Sequence, residues 1–120
     1  MKELSIEERI EWFEATVKEC CSNVNTLNAE QFLNVLFEEL CIDVVSCFSE
    51  YSLDILIDAG LILDTNKDIC IKIRDLFITY EDAFRSCTDP EEIKSMEQWK
   101  EINNMADNVW ADYIKCRTRS

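Results

Sequence analysis

The sequence predicts an all-α fold, a single domain over residues 1–120 built as a bundle of about five helices. Three observations predict it. One glycine and one proline stand among 120 residues, whereas barrels and sandwiches need turn residues at short intervals and helices need them only at their ends. Apolar side chains recur at spacings of three and four along most of the chain. Capping residues stand where those periodic runs begin. No internal repeat, low-complexity segment or linker divides the chain.

The first helix starts at Ser5. Ser5-x-x-Glu8 is a capping box, in which hydroxyl and carboxylate satisfy exposed N–H groups reciprocally. Ile6, Ile10, Phe13, Val17 and Cys20 or Cys21 follow at helical spacing, and the polar run Ser22–Thr26 ends them. A second helix begins at Asn28 with Asn28-x-x-Gln31 as its box, and Leu33, Leu36, Phe37, Leu40, Val44 and Phe48 line one side. A break is expected between residues 46 and 52, because Ser49 and Ser52 can both cap. The third helix runs from about residue 52 to 59. Gly60 stops it in the left-handed conformation, and Leu61 folds back onto Leu56 or Ile57.

Thr65-x-x-Asp68 opens the fourth helix, where Ile69, Ile73, Leu76, Phe77, Tyr80, Phe84 and Cys87 keep the helical period. Within it Ile69, Ile71 and Ile73 also alternate with Cys70, Lys72 and Arg74 as a half-buried strand would, and the long continuation favours helix. Asp89-Pro90-Glu91-Glu92 starts the last helix: a cap, proline at the first position, and acids at the positive dipole end. One face then carries Ile93, Met96, Trp99, Ile102, Met105 or Ala106, Val109, Tyr113 and Cys116, and Lys115, Arg117 and Arg119 suit the negative end. Trp12 and Trp110 sit beside these faces and read as the margins of a wide core, with a binding anchor on a second surface as the alternative.

A hydrophobic fraction of 48 %, with three Trp, three Tyr and six Phe, supplies a core, unlike a disordered acidic tail. The net charge is −13, from 12 bases and 25 acids. That excess argues against nucleic acid and against anionic membrane surfaces, since both are bound through Lys and Arg. No apolar run approaches the ~20 residues that span a bilayer. Residues 1–9 are charged throughout and lack the apolar stretch of a secretory signal. The seven cysteines (Cys20, Cys21, Cys41, Cys47, Cys70, Cys87, Cys116) include no C-x-x-C, and there is no histidine. They read as free thiols packed as small hydrophobes in a reducing cytosol, so a cytoplasmic protein is expected. The vicinal pair Cys20-Cys21 is the one place to look for redox chemistry.

Little points to catalysis. Without histidine the commonest general base is missing, as is any Ser-His or Cys-His pair. One glycine leaves no phosphate-cradling loop. Glu38-Glu39 and Glu91-Glu92 are carboxylate pairs of the kind that acid–base enzymes use, but 25 acids make such pairs inevitable. Asp64-Thr65-Asn66-Lys67-Asp68 lacks the glycine and distal glutamate of a calcium loop. No enzyme, no cofactor and no metal site are expected.

The informative feature is a charge gap. Between Lys18 and Lys67 the chain places nine acids and no base. Solvated faces normally interleave both signs, and an acidic surface without internal partners suits a basic one. If the second helix continued unbroken, Glu39, Asp43, Ser46, Glu50 and Asp54 would form one stripe. The candidate binding face is Glu39, Asp43, Glu50, Asp54 and Asp58, with Tyr51 as an aromatic contact at its centre.

The pattern Asp89-Pro90-Glu91-Glu92-Ile93…Trp99-Lys100-Glu101-Ile102…Ala106…Val109, together with size, helicity and acidity, resembles bacterial toxin-immunity proteins. These are small cytosolic inhibitors paired with contact-dependent or bacteriocin-like toxins. The resemblance carries over no motif residue by residue. It implies a basic cognate toxin as partner, often a nuclease, whose active site an acidic face would occlude by mimicking phosphate. The alternative is a viral or phage effector or adaptor that binds a host helix in a hydrophobic groove. A carboxylate enzyme or metal protein is the third. Ionic strength separates the first two, because groove binding responds little to salt.

Overall fold

The computed structural model describes residues 4–118. Arg119, assigned above to the basic end of the last helix, lies outside the described residues, as do residues 1–3. Among the described residues there is no strand, and the fold is an all-α bundle.

Most helix ends follow local chemistry. Helix α1 (Ile6–Cys20) has the full capping box: Glu8 N–H donates to Ser5 Oγ at 3.1 Å and Ser5 N–H to Glu8 Oε1 at 3.2 Å. Cys21 is extended, and a 3₁₀ turn (Ser22–Thr26) buries Val24. Helix α2 (Ala29–Asn34) is capped by Asn28, which accepts from Gln31 N–H at 2.9 Å. A π-helical turn (Val35–Leu40) joins it without interruption to α3 (Cys41–Cys47). Ser49 caps α4 (Glu50–Asp58), and its hydroxyl accepts from Ser52 N–H. Gly60 ends α4 at φ 76°, with Leu61 N–H bonded to Leu56 O and Gly60 N–H to Ile57 O. That double bond pattern needs a left-handed residue, which glycine adopts without strain.

Two ends differ from expectation. Helix α5 (Asp64–Ser86) is not capped by Thr65: Asn66 Oδ1 reaches back to accept from Leu63 N–H at 3.1 Å, so the helix starts earlier. The alternating isoleucines at 69–73 lie inside α5, which excludes the strand. The last helix is two. Asp89 caps α6 (Pro90–Ser95) as expected, but Met96 is extended at φ −70°, ψ 135°, and α7 (Glu97–Thr118) follows. No glycine or proline marks this break. It lets α6 pack on α2, where the Lys94 ammonium stands 4.9 Å from the Phe32 ring centroid, while α7 runs the length of the bundle.

The long elements form a ring of antiparallel neighbours: α1, the α2–π–α3 run, α5 and α7, with α7 closing against α1. The directions follow from the contacts. Arg74 meets Phe48 and Arg85 meets Phe37, while Glu14 meets Tyr113 and Ser22 meets Asp107. The core between them is strongly aromatic. Phe13 packs on Phe48 and edge-on to Tyr113, and Trp99 stands edge-on between Phe32 and Phe84, all fully or almost fully buried.

The π turn has a specific reason. Phe32, Leu36, Leu40 and Val44 are all fully buried at spacings of four. Each such step overshoots an α-helical turn by roughly 40°. In an unbroken α-helix Glu39 and Asp43 would therefore lie within about 20° of the Phe32 direction, and Val44 about 120° away. The wider turn absorbs one residue and keeps Leu40 and Val44 on the core side. It thereby keeps two acids out of the core.

Candidate partner-binding face

The expected acidic stripe is not continuous. Phe48 leaves helical geometry and Ser49 is extended, so the chain turns between Asp43 and Glu50. Arg74 Nη1 donates to Phe48 O at 3.3 Å and satisfies the carbonyl at that turn. Glu39 and Asp43 belong to the π–α3 segment. Glu50, Tyr51, Asp54 and Asp58 share one exposed face of α4.

The six candidate residues differ in how free they are. Asp43 is half-buried and committed: Trp12 Nε1–H donates to its Oδ1 at 3.0 Å, and Glu19 hydrogen-bonds to it. Burial, then this bond, then the negative charges of Asp43 and Glu39 push the Glu19 carboxyl up to about 8. A carboxyl held so far up keeps its proton near neutrality and can donate it to Asp43. Glu19 Oε1 is buried without a partner among the described residues. Asp54 is paired with Lys67 Nζ at 2.7 Å. Tyr51 is 63 % exposed, with the Arg9 guanidinium 5.7 Å from its ring centroid. Glu39, Glu50 and Asp58 are exposed and form no ion pair among the described residues.

Two features escaped the sequence reading. The first is apolar exposure. Among the described residues the most exposed large hydrophobic ones are Tyr51, Ile42 at 62 %, Leu63 and Val45 at 50 %, and all four lie in the base-free segment. The signal was present: with Leu40, Val44 and Cys47 inward, Ile42 and Val45 fall outside. The second is a polar tie between the end of α1 and α7. Asn103 Nδ2 donates to Cys20 O at 2.8 Å, Asn25 Nδ2 donates to Asn103 Oδ1, and Trp99 Nε1–H donates to Asn25 Oδ1. Asp107 accepts from both N–H and Oγ–H of Ser22. These partners stand more than seventy residues apart, beyond the reach of local pattern.

The buried thiols are not activated. All seven are free. Cys20, Cys47 and Cys70 gather from α1, α3 and α5, and burial pushes all three up, Cys47 to about 12. Cys21 also stands at about 12, so the vicinal pair has the opposite of an activated thiolate. Among the described residues no group of three His, Cys, Asp or Glu is arranged to hold a metal ion, and no helix is long and apolar enough to cross a membrane. The base-free segment presents carboxylates and apolar side chains together at the surface. No family model, curated protein or solved structure matches this chain.

Proposed function

We propose that this chain is an acidic cytoplasmic inhibitor that binds and neutralises a basic protein by covering its cationic working surface. The partner class that the resemblance suggests is a toxin domain, with a nuclease favoured because surfaces that grip phosphate are basic. The observation that carries this reading is a coincidence of place. Among the described residues, those of 19–66 hold acids almost without ion pairs and also the four most exposed large hydrophobic side chains. Aromatic and aliphatic anchors within a charged rim are the usual composition of a binding surface. Acids there steer a basic partner and speed its encounter. In this reading the protein has no catalytic role and needs no cofactor.

The test is capture on the immobilised chain at low salt, from lysate of the source cell, followed by elution in a salt gradient. A basic protein released at moderate salt, with slower association to the Glu50→Lys/Asp58→Lys variant, is the expected result. Asp54 is left out of the variant because Lys67 already neutralises it. A partner that is neutral, or whose association is unchanged by both substitutions and by salt, overturns the reading.

A further inference from the structure

The acids of α4 are the obvious place for a basic partner, but a second surface has a better composition. Ile42 and Val45 project from α3, and Ile78 from α5 is 48 % exposed. Two anchors set the register between these antiparallel helices. The Arg85 guanidinium lies 4.6 Å from the Phe37 ring centroid, and Arg74 Nη1 bonds Phe48 O. Val45, three residues before Phe48, then stands level with Ile78, four residues after Arg74. Ile42 continues the row one turn back along α3. The three side chains make an apolar strip along the α3–α5 seam.

The rim of the strip is acidic. Glu38 and Glu39 stand at its π-turn end and Asp82 beside it on α5, all exposed and without an ion pair among the described residues. The two bases nearby are already used: Arg74 pairs with Asp75 at 3.0 Å and Arg85 with Glu81 at 2.7 Å. The strip thus presents apolar side chains framed by free negative charge. A second copy of this chain is a poor occupant, since each copy carries −13.

We infer that the α3–α5 seam, with Ile42, Val45 and Ile78 as its floor and Glu38, Glu39 and Asp82 as its rim, seats an amphipathic helix of the partner that carries Lys or Arg along its flanks. This rests on the basic-partner reading above and names the part of the partner that is bound. Such a helix places apolar residues at i, i+3, i+4 and i+7 into the seam and its bases against the rim. The acids orient and accelerate docking, and the isoleucines and valine hold the helix in place.

The test uses the full chain, isotope-labelled for amide NMR, and two synthetic helical peptides. Both have one leucine face; the other face is lysine in one peptide and glutamate in the second. The lysine peptide is expected to shift amides at 38–46 and 74–82, and the glutamate peptide to shift none. Ile42→Ser/Val45→Ser should weaken the lysine peptide about tenfold, and Glu38→Lys/Glu39→Lys should weaken it most at low salt. These residues are exposed, so unchanged amide spectra elsewhere certify the fold of each variant. Shifts confined to 50–58, or binding indifferent to Ile42→Ser/Val45→Ser, overturn this inference and leave the basic-partner reading standing. Binding of the lysine peptide nowhere on the chain removes both. A dimer in sedimentation that the same two substitutions abolish assigns the seam to self-association and also overturns the inference.

Discussion

Among the described residues three of the five ion pairs lie within α5 or α6: Arg74 with Asp75, Arg85 with Glu81, Lys94 with Glu91; Arg117 reaches from α7 across to Glu14 on α1. Of the acids in residues 19–66, Asp54 alone is in an ion pair among the described residues, and its partner, Lys67, comes from outside the segment. The apolar surface divides the same way, with the four most exposed large hydrophobic residues among those described on the unpaired side. A surface that settles its own charges gains a few tenths of a kcal/mol per exposed pair and asks nothing of a partner. One that leaves both charges and hydrophobics open has its interaction energy still available. Stability should therefore reside in the first region and binding in the second.

The largest effect that would break this comparison is at Trp99. It is fully buried between Phe32 and Phe84 and bonded to Asn25. Trp99→Ala should cost about 3–5 kcal/mol in urea unfolding, and a cost under 1 would show that the α7 side does not hold the fold. Next is Asn103. Its replacement by Leu strands the Cys20 carbonyl and the Asn25 amide, at about 1–3 kcal/mol. A neutral result would mean that the α1–α7 tie is ornamental.

Glu19 gives a smaller effect with a definite sign. Its carboxyl is held near 8 against an ordinary 4.5, so the folded chain keeps a proton that the unfolded chain releases between those values. Stability contributed by this group is therefore complete below pH 4.5 and falls as pH rises towards 8. Glu19→Gln supplies a permanent donor for Asp43. It should raise Tm at pH 8.5, change it little at pH 4.5, and flatten the slope between. An unaltered pH profile would remove the shared proton from the account. The smallest effect on stability is expected from Glu50→Lys/Asp58→Lys: within about 0.5 kcal/mol, with the loss appearing only in association with a basic partner. A large drop in Tm from that pair would erase the distinction between the two regions.

The parts of the fold that could be read from the chain are those decided by neighbours in sequence. The Ser5 box, the Asn28 and Asp89 caps, the break at Ser49 and the Gly60 stop each depend on residues within a few positions. The split at Met96 and the π turn do not, because each serves packing against a distant helix. The charge gap was visible as composition. Which of its acids are free was not: Asp43 is taken by Trp12, thirty-one residues earlier, and Asp54 by Lys67 across a turn. Ile42 and Val45 fall off the apolar face read for that helix, and a binding face sought by charge alone passes them by.

The π turn also ties together two properties that a lineage would otherwise vary separately. It is equivalent to one residue added upstream of Cys41, and every side chain from there to Cys47 takes its facing from that addition. Should the turn revert to ordinary geometry with the same residues, Val44 would swing outward and Asp43 inward. The core and the outer surface of α3 are thus inherited as a single choice. A descendant can alter the chemistry of Ile42 or Glu39 by substitution, but an insertion or deletion between 35 and 40 rewrites both sides of the helix at once.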